Sequence, residues 1–438
     1  MNTINLSKGI TVAVLVALGL ARPPASDSVA GQPGTAPPTQ ALVGARVVAV
    51  GGQPAIDDAT ILIRAGRIEA VGPTAKVRVP QGTPTTRLAG KFVLPGLISA
   101  HAHVSDVDGL RPRAYTAANT SRQLGVFARY GVTTVWSLGG EAAPAFEARD
   151  SQAVPGLARA RIHLAGEIVT AKTAEEARQA VARVAATKPD VIKIRVDDNL
   201  GTTAKMAPEV YRAVIGEAHT RGLRVAAHIF YLDDAKDLLR AGVDVIAHSV
   251  RDREVDEEFL SLMKSRQAAY VPTLTRELST FVYESTPAFF SDPFFLKEAD
   301  AAVVTQLKEP ARQATFRDSR AGQRYKAALE IAKRNLKRVS DAGLLIAMGT
   351  DAGPFPERFQ GYFEHVEMAM MVEAGLTPAQ VLRAATVDAA RTMRIEGVGS
   401  IAPGAWADLL VLNQDPLRDI RHTRQIASVW IAGSTVKR

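Results

Sequence analysis

The 438-residue sequence contains no cysteine. That absence excludes a disulfide framework, a thiolate metal site and a cysteine nucleophile, so any metal must be held by histidine, carboxylate or a modified lysine. Runs of lysine or arginine are also missing, as is any motif that reads RNA or DNA. Lys and Arg exceed Asp and Glu by 53 to 45, and the resulting +8 is scattered along the chain. Such a balance speaks for solubility, and nucleic acid is not an expected partner. Long apolar runs are absent too, apart from Ile10 to Leu20, which is too short to span a bilayer comfortably.

That one run looks like part of an export signal. Lys8 precedes it, and small residues suited to cleavage follow at Ala21, Ala25 and Ala30. Residues 22–40 are rich in Pro, Gly, Ser and Thr. A signal peptide is therefore expected over 1–30 and a disordered leader over 31–40, giving an exported protein, periplasmic or secreted, with no stable membrane span after processing. An uncleaved anchor is the other reading of the same run.

What is present is a large globular chain, 47% apolar and 22% charged. Its length suits a barrel of about 250 residues with a smaller companion. Both ends are strand-rich. Ala41 to Val50, Thr60 to Arg64, Arg67 to Val71 and Arg87 to Val93 lead in, with a hairpin signal at Ala65-Gly66. Ala407 to Leu412, Ala427 to Ile431 and Ser434 to Val436 close the chain. The middle alternates strand and helix. Eight strand candidates begin at Leu97, Val132, Arg161, Val191, Leu223, Val243, Ala269 and Leu344. Helical stretches such as Ala174 to Thr187, Pro208 to Arg221 and Leu232 to Ala241 separate them. Gly131, Gly222, Gly242 and Gly343 stand where helix C-caps belong. The expected fold is α/β: a (β/α)8 TIM barrel over 95–396, with a small β-sandwich domain built from 41–94 and 397–438. The aromatic stretch Phe281 to Phe295 either covers the barrel mouth or packs on its outer face.

Chemistry gathers at the strand ends. His101 and His103 close the first strand, and their i, i+2 spacing turns both imidazoles inward. Lys193 lies between Ile192 and Ile194, so it too faces the barrel interior, either to be modified or to snorkel or pair with an acid. His228 and His248 end the fifth and sixth strands, and Asp351 ends the eighth. Singly, each has a structural reading: a satisfied core histidine, or for Asp351 a helix N-cap. Jointly, four His, one Lys and one Asp at one barrel mouth match a binuclear metal site.

Several segments carry a family resemblance. They are Phe92 to His103 (FVLPGLISAHAH), Gly131-Val132-Thr133-Thr134-Val135, Ile192-Lys193-Ile194, the two strand-end histidines, Met348 to Gly353 (MGTDAG) and Gly399 to Leu409 (GSIAPGAWADL). Together they resemble the amidohydrolase superfamily, in its imidazolonepropionase-like and metal-dependent prolidase-like branch. The resemblance implies two divalent metal ions, zinc being usual. It puts His101 and His103 on the more buried ion and His228 and His248 on the other. Lys193 would be N6-carboxylated and bridge both, and Asp351 would be both ligand and general base for a metal-held hydroxide. The expected partner is a small-molecule amide, a dipeptide or an N-acyl amino acid; a homo-oligomer is compatible with the sequence. A lactonase or a heterocycle deaminase or cyclic amidase is the alternative on the same site. A barrel that has lost catalysis is disfavoured, because all six ligand positions are filled.

Arg195, two residues beyond Lys193, is a candidate for gripping a substrate carboxylate, or else a rim ion pair. Tyr231 is a candidate donor to the substrate carbonyl oxygen. His365 either lines the pocket or lies on a helix surface. His163, His219 and His422 read as structural. Two departures from the family pattern stand out: Trp136-Ser137, where Arg-Asp is frequent, and Phe230, where a smaller or polar residue is common.

Overall fold

A computed structural model describes residues 39–438. The expected signal peptide, and the leader through residue 38, lie outside the described residues. Among the described residues, no helix is long and apolar enough to cross a membrane.

Both chain ends meet in one eight-stranded sheet. Thr39–Val47 pairs antiparallel with Ile56–Arg64, which turns at Ala65-Gly66 into Arg67–Pro73. Phe92–Pro95 joins this N-terminal set to Leu409–Leu412, and Ile426–Ile431 and Ser434–Thr435 extend the far edge. Alternate side chains from both ends, including Leu42, Ile61, Ile63, Val93, Leu409 and Val411, share one buried cluster. The composite origin is as expected. The pairing gives one continuous sheet rather than two separate sheets.

The middle of the chain closes a parallel barrel. Leu97–Ala102, Val132–Ser137 and Arg161–Leu164 form one run of three strands. Ile192–Arg195, Val225–His228, Val245–Ala247 and Ala269–Val271 form a run of four. Parallel bridges seal the gaps: Val169 to Ile194, Tyr270 to Ile346 and Ala102 to Ala352. The expected eighth strand is thus present only as a bridge, although Ala347 N and Ala100 N donate to Tyr270 O and Met348 O on either side. Strand alternation sorts the side chains. Ile192 and Ile194 pack outward with Val181, Val184 and Val214 of the helices. Small inward residues, Ala226, Val245, Ala269 and Ala347, fill the interior, each such packed layer being a core rather than a pore.

The helices fall where expected, as Ala174–Ala186, Pro208–Thr220 and Leu232–Ala241, and the four anticipated C-cap glycines all have positive φ. Phe289, Phe290, Phe294 and Phe295 gather into one aromatic cluster. They pack against Tyr130, Phe359, Tyr362 and one another, in one buried cluster with Val126, Ala352 and Phe363. Barrel and sheet are tied by a buried ion pair, Arg161 Nε to Asp408 Oδ2 at 2.8 Å.

Candidate metal centre and active site

The C-terminal ends of the barrel strands converge on a buried polar cluster. His101, His103 and Asp351 each bring one ligand atom to within 4.8 Å of the others. His103 Nε2 lies 3.1 Å from Asp351 Oδ1 and His101 Nε2 lies 3.2 Å from the same oxygen. His103 Nδ1 donates to Gly139 O at 3.0 Å, which orients the ring and turns Nε2 toward the cluster. His101 Nδ1 has no hydrogen-bond partner, so that ring acts through Nε2 alone. Asp351 is held at φ +60° by His101 O, which accepts both Thr350 N–H and Asp351 N–H at 2.9 Å.

Lys193 is buried on the inward face, as the strand alternation requires. Its Nζ lies 3.4 Å from His101 Nε2. Among the described residues no carboxylate forms an ion pair with it. Burial pushes its pKa down to about 8 against the pull of Asp351 and Glu141.

His228 and His248 stand beside this group. Their rings meet edge-on at 4.2 Å, and His248 stacks on His101 at 4.8 Å. His228 Nε2 is 2.6 Å from Asp197 Oδ2, and His248 Nδ1 is 2.7 Å from Thr273 Oγ1. The remaining nitrogens, His228 Nδ1 and His248 Nε2, face each other at 2.8 Å. All six expected ligand residues are therefore in one cluster, three of them in mutual ligand range.

Charge in the cluster is strongly perturbed. Burial dominates for His101 and holds it down at about 3. Burial also disfavours charge on His103, but hydrogen bonds to Asp106 and Asp351 outweigh it and hold its pKa up at about 10. Burial would raise Asp351; Arg358, His101 and His103 together hold it well below the usual carboxylate range. These donors fit a divalent cation, which would take the place of the proton that His103 shares with Asp351: imidazole nitrogens, a carboxylate, and a buried amine without an ion pair among the described residues.

Four residues that sequence reasoning missed surround the cluster. Asp197 orients His228, Thr273 orients His248, and the buried guanidiniums of Arg358 and Arg276 face Asp351 Oδ2, the latter at 3.9 Å. Asp197, Thr273 and Arg358 lie on loops or caps after strands, and Arg276 lies in the short helix Leu274–Leu278. The signal available in sequence was only their nearness to a strand end.

The other three expected site residues lie outside the ligand cluster. Arg195 is 45% exposed and pairs with Asp197 Oδ1 at 3.2 Å, the rim ion pair. Tyr231 donates to Asp198 Oδ1 at 2.9 Å beneath the Lys205 ammonium, one position beyond the Asp197 that orients His228. His365 does not line a pocket: it is buried on the helix Tyr362–Glu373, its nitrogens meeting Thr423 Oγ1 and Tyr130 O at 3.0 and 2.8 Å. Its helix turns that face toward the chain's C-terminal segment. His163, His219 and His422 are held by Asp190, Asp244 and Asp415 O. Trp136 is buried in the interior, and Ser137 Oγ accepts from Val104 N.

A parallel barrel with a His/His/Asp cluster at the ends of its strands defines a metal-dependent barrel hydrolase. The sequence model of the amidohydrolase family matches residues 92–436, and the chain belongs to that family. It is accordingly a metal-dependent hydrolase of carbon–nitrogen bonds, on its imidazolonepropionase-like side. The imidazolonepropionase of Deinococcus radiodurans is 25% identical over 423 residues, 89% of this chain and 94% of that one. An uncharacterised protein of Mycobacterium tuberculosis is 29% identical over 350 residues, 77% of this chain and 83% of that one. Among solved structures, a candidate prolidase from Bifidobacterium longum is 26% identical with a TM-score of 0.74, covering 92% of this chain and 95% of that one. A Xaa-Pro dipeptidase with methionine in its active site, 21% identical at a TM-score of 0.73, covers 91% of this chain and 100% of its own, and shares the fold.

Proposed function

We propose that the protein hydrolyses the amide bond of dipeptides or N-acyl amino acids at a binuclear zinc site bridged by carboxylated Lys193. The observation that carries this reading is Lys193 itself: a buried amine with no carboxylate ion pair among the described residues, 3.4 Å from a candidate ligand nitrogen, with a pKa of about 8. A neutral amine adds CO2, forming an N–C bond and releasing one proton. The resulting carbamate would supply two oxygens for cations held beside His101. Similarity to the Bifidobacterium longum candidate prolidase supports the substrate class.

Bound divalent ions would supply an acidified water and a polarised carbonyl. The chain's own residues do the rest. His101, His103, His228 and His248 would hold the ions, with Asp351 Oδ1 beside the first pair. Asp351 takes the proton of the attacking water and delivers it to the leaving nitrogen. The water oxygen bonds to the carbonyl carbon, the C–N bond breaks, and a carboxylate and an amine leave. Arg358 keeps Asp351 ionised and oriented for the first of these transfers.

The reading includes the division of labour expected from sequence. The barrel of 95–396 does the chemistry, the β-sheet companion of 41–94 and 397–438 braces it, and residues 1–30 direct export and are then removed. A second reading, cyclic-amide opening, is supported by the similarity to imidazolonepropionase. A library of dipeptides, N-acyl amino acids and cyclic amides tests the two, with zinc-reconstituted protein in bicarbonate and Lys193→Ala and Asp351→Asn as controls. Cleavage confined to cyclic amides or ammonia release from heterocycles overturns the first.

A further inference from the structure

A cavity of about 360 Å³ opens beside the cluster, between the loop after Asp351 and the helices Pro310–Arg317 and Arg320–Asp341. Arg358 lines it and links it to the metal centre. Its Nη1 donates to Asp351 Oδ2 and its Nε donates to Ser279 Oγ at 3.0 Å. Its Nη2 donates to no protein group among the described residues. Arg312, in the same lining, has a buried Nε without a hydrogen-bond partner, and its nearest carboxylate, Glu357, is 3.9 Å away. The rest of the lining combines three aromatic rings, Phe316, Tyr325 and Phe355, with hydroxyl and small residues and the Glu357 carboxylate. Arg312 stacks on Phe316 at 4.8 Å, Arg276 stacks on Tyr325 at 4.8 Å, and Arg358 stacks on Phe355 at 5.1 Å. Phe355 is 53% exposed, one of the few large apolar side chains so placed among the described residues.

Two guanidiniums with unused N–H groups, set among aromatic rings, make a receptor for an anion carrying an apolar group. In a peptide or N-acyl amino acid, the free carboxylate is on the carbon that bears the scissile nitrogen. Its anchor must therefore stand next to the general base, and Arg358 is hydrogen-bonded to it. Arg195, the anchor expected from sequence, is solvent-exposed and pairs with Asp197.

We propose that this cavity receives the leaving half of the substrate, an amino acid whose free α-carboxylate is bound by Arg358 with Arg312 and whose apolar or aromatic side chain is covered by Phe316, Tyr325 and Phe355. This rests on the amide-hydrolase reading and narrows it to substrates with a free carboxylate and a bulky leaving residue. An aromatic side chain covers much of the ring surface that glycine leaves wet.

Titration calorimetry of the metal-loaded protein with L-phenylalanine, L-phenylalaninol and glycine tests it. L-Phenylalanine binds at least about tenfold more tightly than either of the others, the scale of one charge-assisted hydrogen bond or one buried ring. Arg358→Met and Arg312→Met each weaken L-phenylalanine and leave phenylalaninol unchanged, and Phe355→Ser narrows the gap between phenylalanine and glycine. Arg312 and Phe355 lie away from the cluster, so they report even if Arg358→Met does not fold. Equal binding of phenylalanine and phenylalaninol, or wild-type phenylalanine affinity in Arg312→Met and Phe355→Ser, overturns the proposal. The two readings fail separately. Turnover of amides with no preference for a free carboxylate removes the pocket and keeps the hydrolase. Arginine-dependent phenylalanine binding with no amide cleaved keeps the pocket and removes the hydrolase.

Discussion

His228 Nδ1 and His248 Nε2 point at each other across 2.8 Å. The outer nitrogen of each ring is already engaged, by Asp197 and Thr273. Both rings are buried, and burial holds both pKa values well below the ordinary histidine range. Two neutral imidazoles can share one proton in that gap, or both can turn their lone pairs on a cation and let Thr273 accept from His248 Nδ1–H.

The first prediction follows from that pair. In the binuclear reading, zinc-reconstituted wild type holds about two ions per chain, and His228→Ala or His248→Ala about one, because His101, His103 and Asp351 remain. Asp197→Asn weakens the second ion by about 10- to 100-fold through loss of the orienting bond. Elemental analysis after gel filtration gives the counts. Two ions retained in both histidine variants would contradict the assignment.

A second prediction concerns Gly349, just before the Thr350-Asp351 turn. A Cβ there would stand 2.7 Å from His101 N and 2.8 Å from His101 Cβ. Gly349→Ala must therefore push the first strand away from the eighth segment. We expect a loss of about 1–3 kcal/mol in stability and weaker metal binding, read from chemical denaturation and elemental analysis of the same sample. Unchanged values in both would show that the two segments are not in register at His101.

The third prediction tests the joint between barrel and sheet. Arg161 and Asp408 are both buried, Arg161 stacks on Trp406 at 4.2 Å, and Asp408 Oδ1 also accepts from Ala432 N at 2.7 Å. Arg161→Ala strands a buried carboxylate and is expected to cost about 3–5 kcal/mol in denaturant unfolding. Arg161→Ala with Asp408→Asn recovers part of that loss. A loss under about 0.5 kcal/mol, the range of ordinary surface changes, would mean that the pair bears no weight.

Glu364 yields a pH prediction. Its Oε1 accepts from Ser99 Oγ and Thr350 Oγ1, and burial raises its pKa from 4.5 to about 7 against those bonds. The folded state therefore binds the Glu364 proton more tightly than the unfolded chain does. Its contribution is most favourable below pH 4.5 and is lost as pH rises to about 7. With metal removed from both proteins, the stability of wild type relative to Glu364→Gln should fall across that window and level off above it. A difference independent of pH would show that Glu364 is not protonated in the fold.

Much of this arrangement was legible in the sequence, and the reasons are geometric. Strand periodicity fixes which face His101, His103 and Lys193 share, and barrel closure brings the ends of non-adjacent strands together, so six scattered residues imply one cluster. Where periodicity stops, legibility stops. Arg195 is the last residue of its strand, and its long side chain turns to solvent and Asp197. Tyr231 lies just past a strand end, where its backbone already caps the helix Leu232–Ala241. His365 lies on a helix whose rotation about its axis is set by packing against Tyr130 and Thr423, contacts remote in sequence. Arg358 comes from a loop, and Thr273 and Arg276 from the cap and body of the short helix Leu274–Leu278, whose paths only the folded chain defines. The shortness of the eighth barrel segment reflects a similar limit: its run reads as a strand, but the turn that presents Asp351 interrupts the ladder.

The most direct test of the account is amine release from N-acyl amino acids and dipeptides by zinc-reconstituted protein in bicarbonate, compared with Lys193→Ala. The account predicts cleavage by the wild type, lost on chelation and restored by zinc. It also predicts a loss of at least about a hundredfold in Lys193→Ala, on the scale of removing one electrostatic element of a reaction centre. Wild-type turnover in Lys193→Ala or after chelation, or release of no amine from any member of the library, would contradict it.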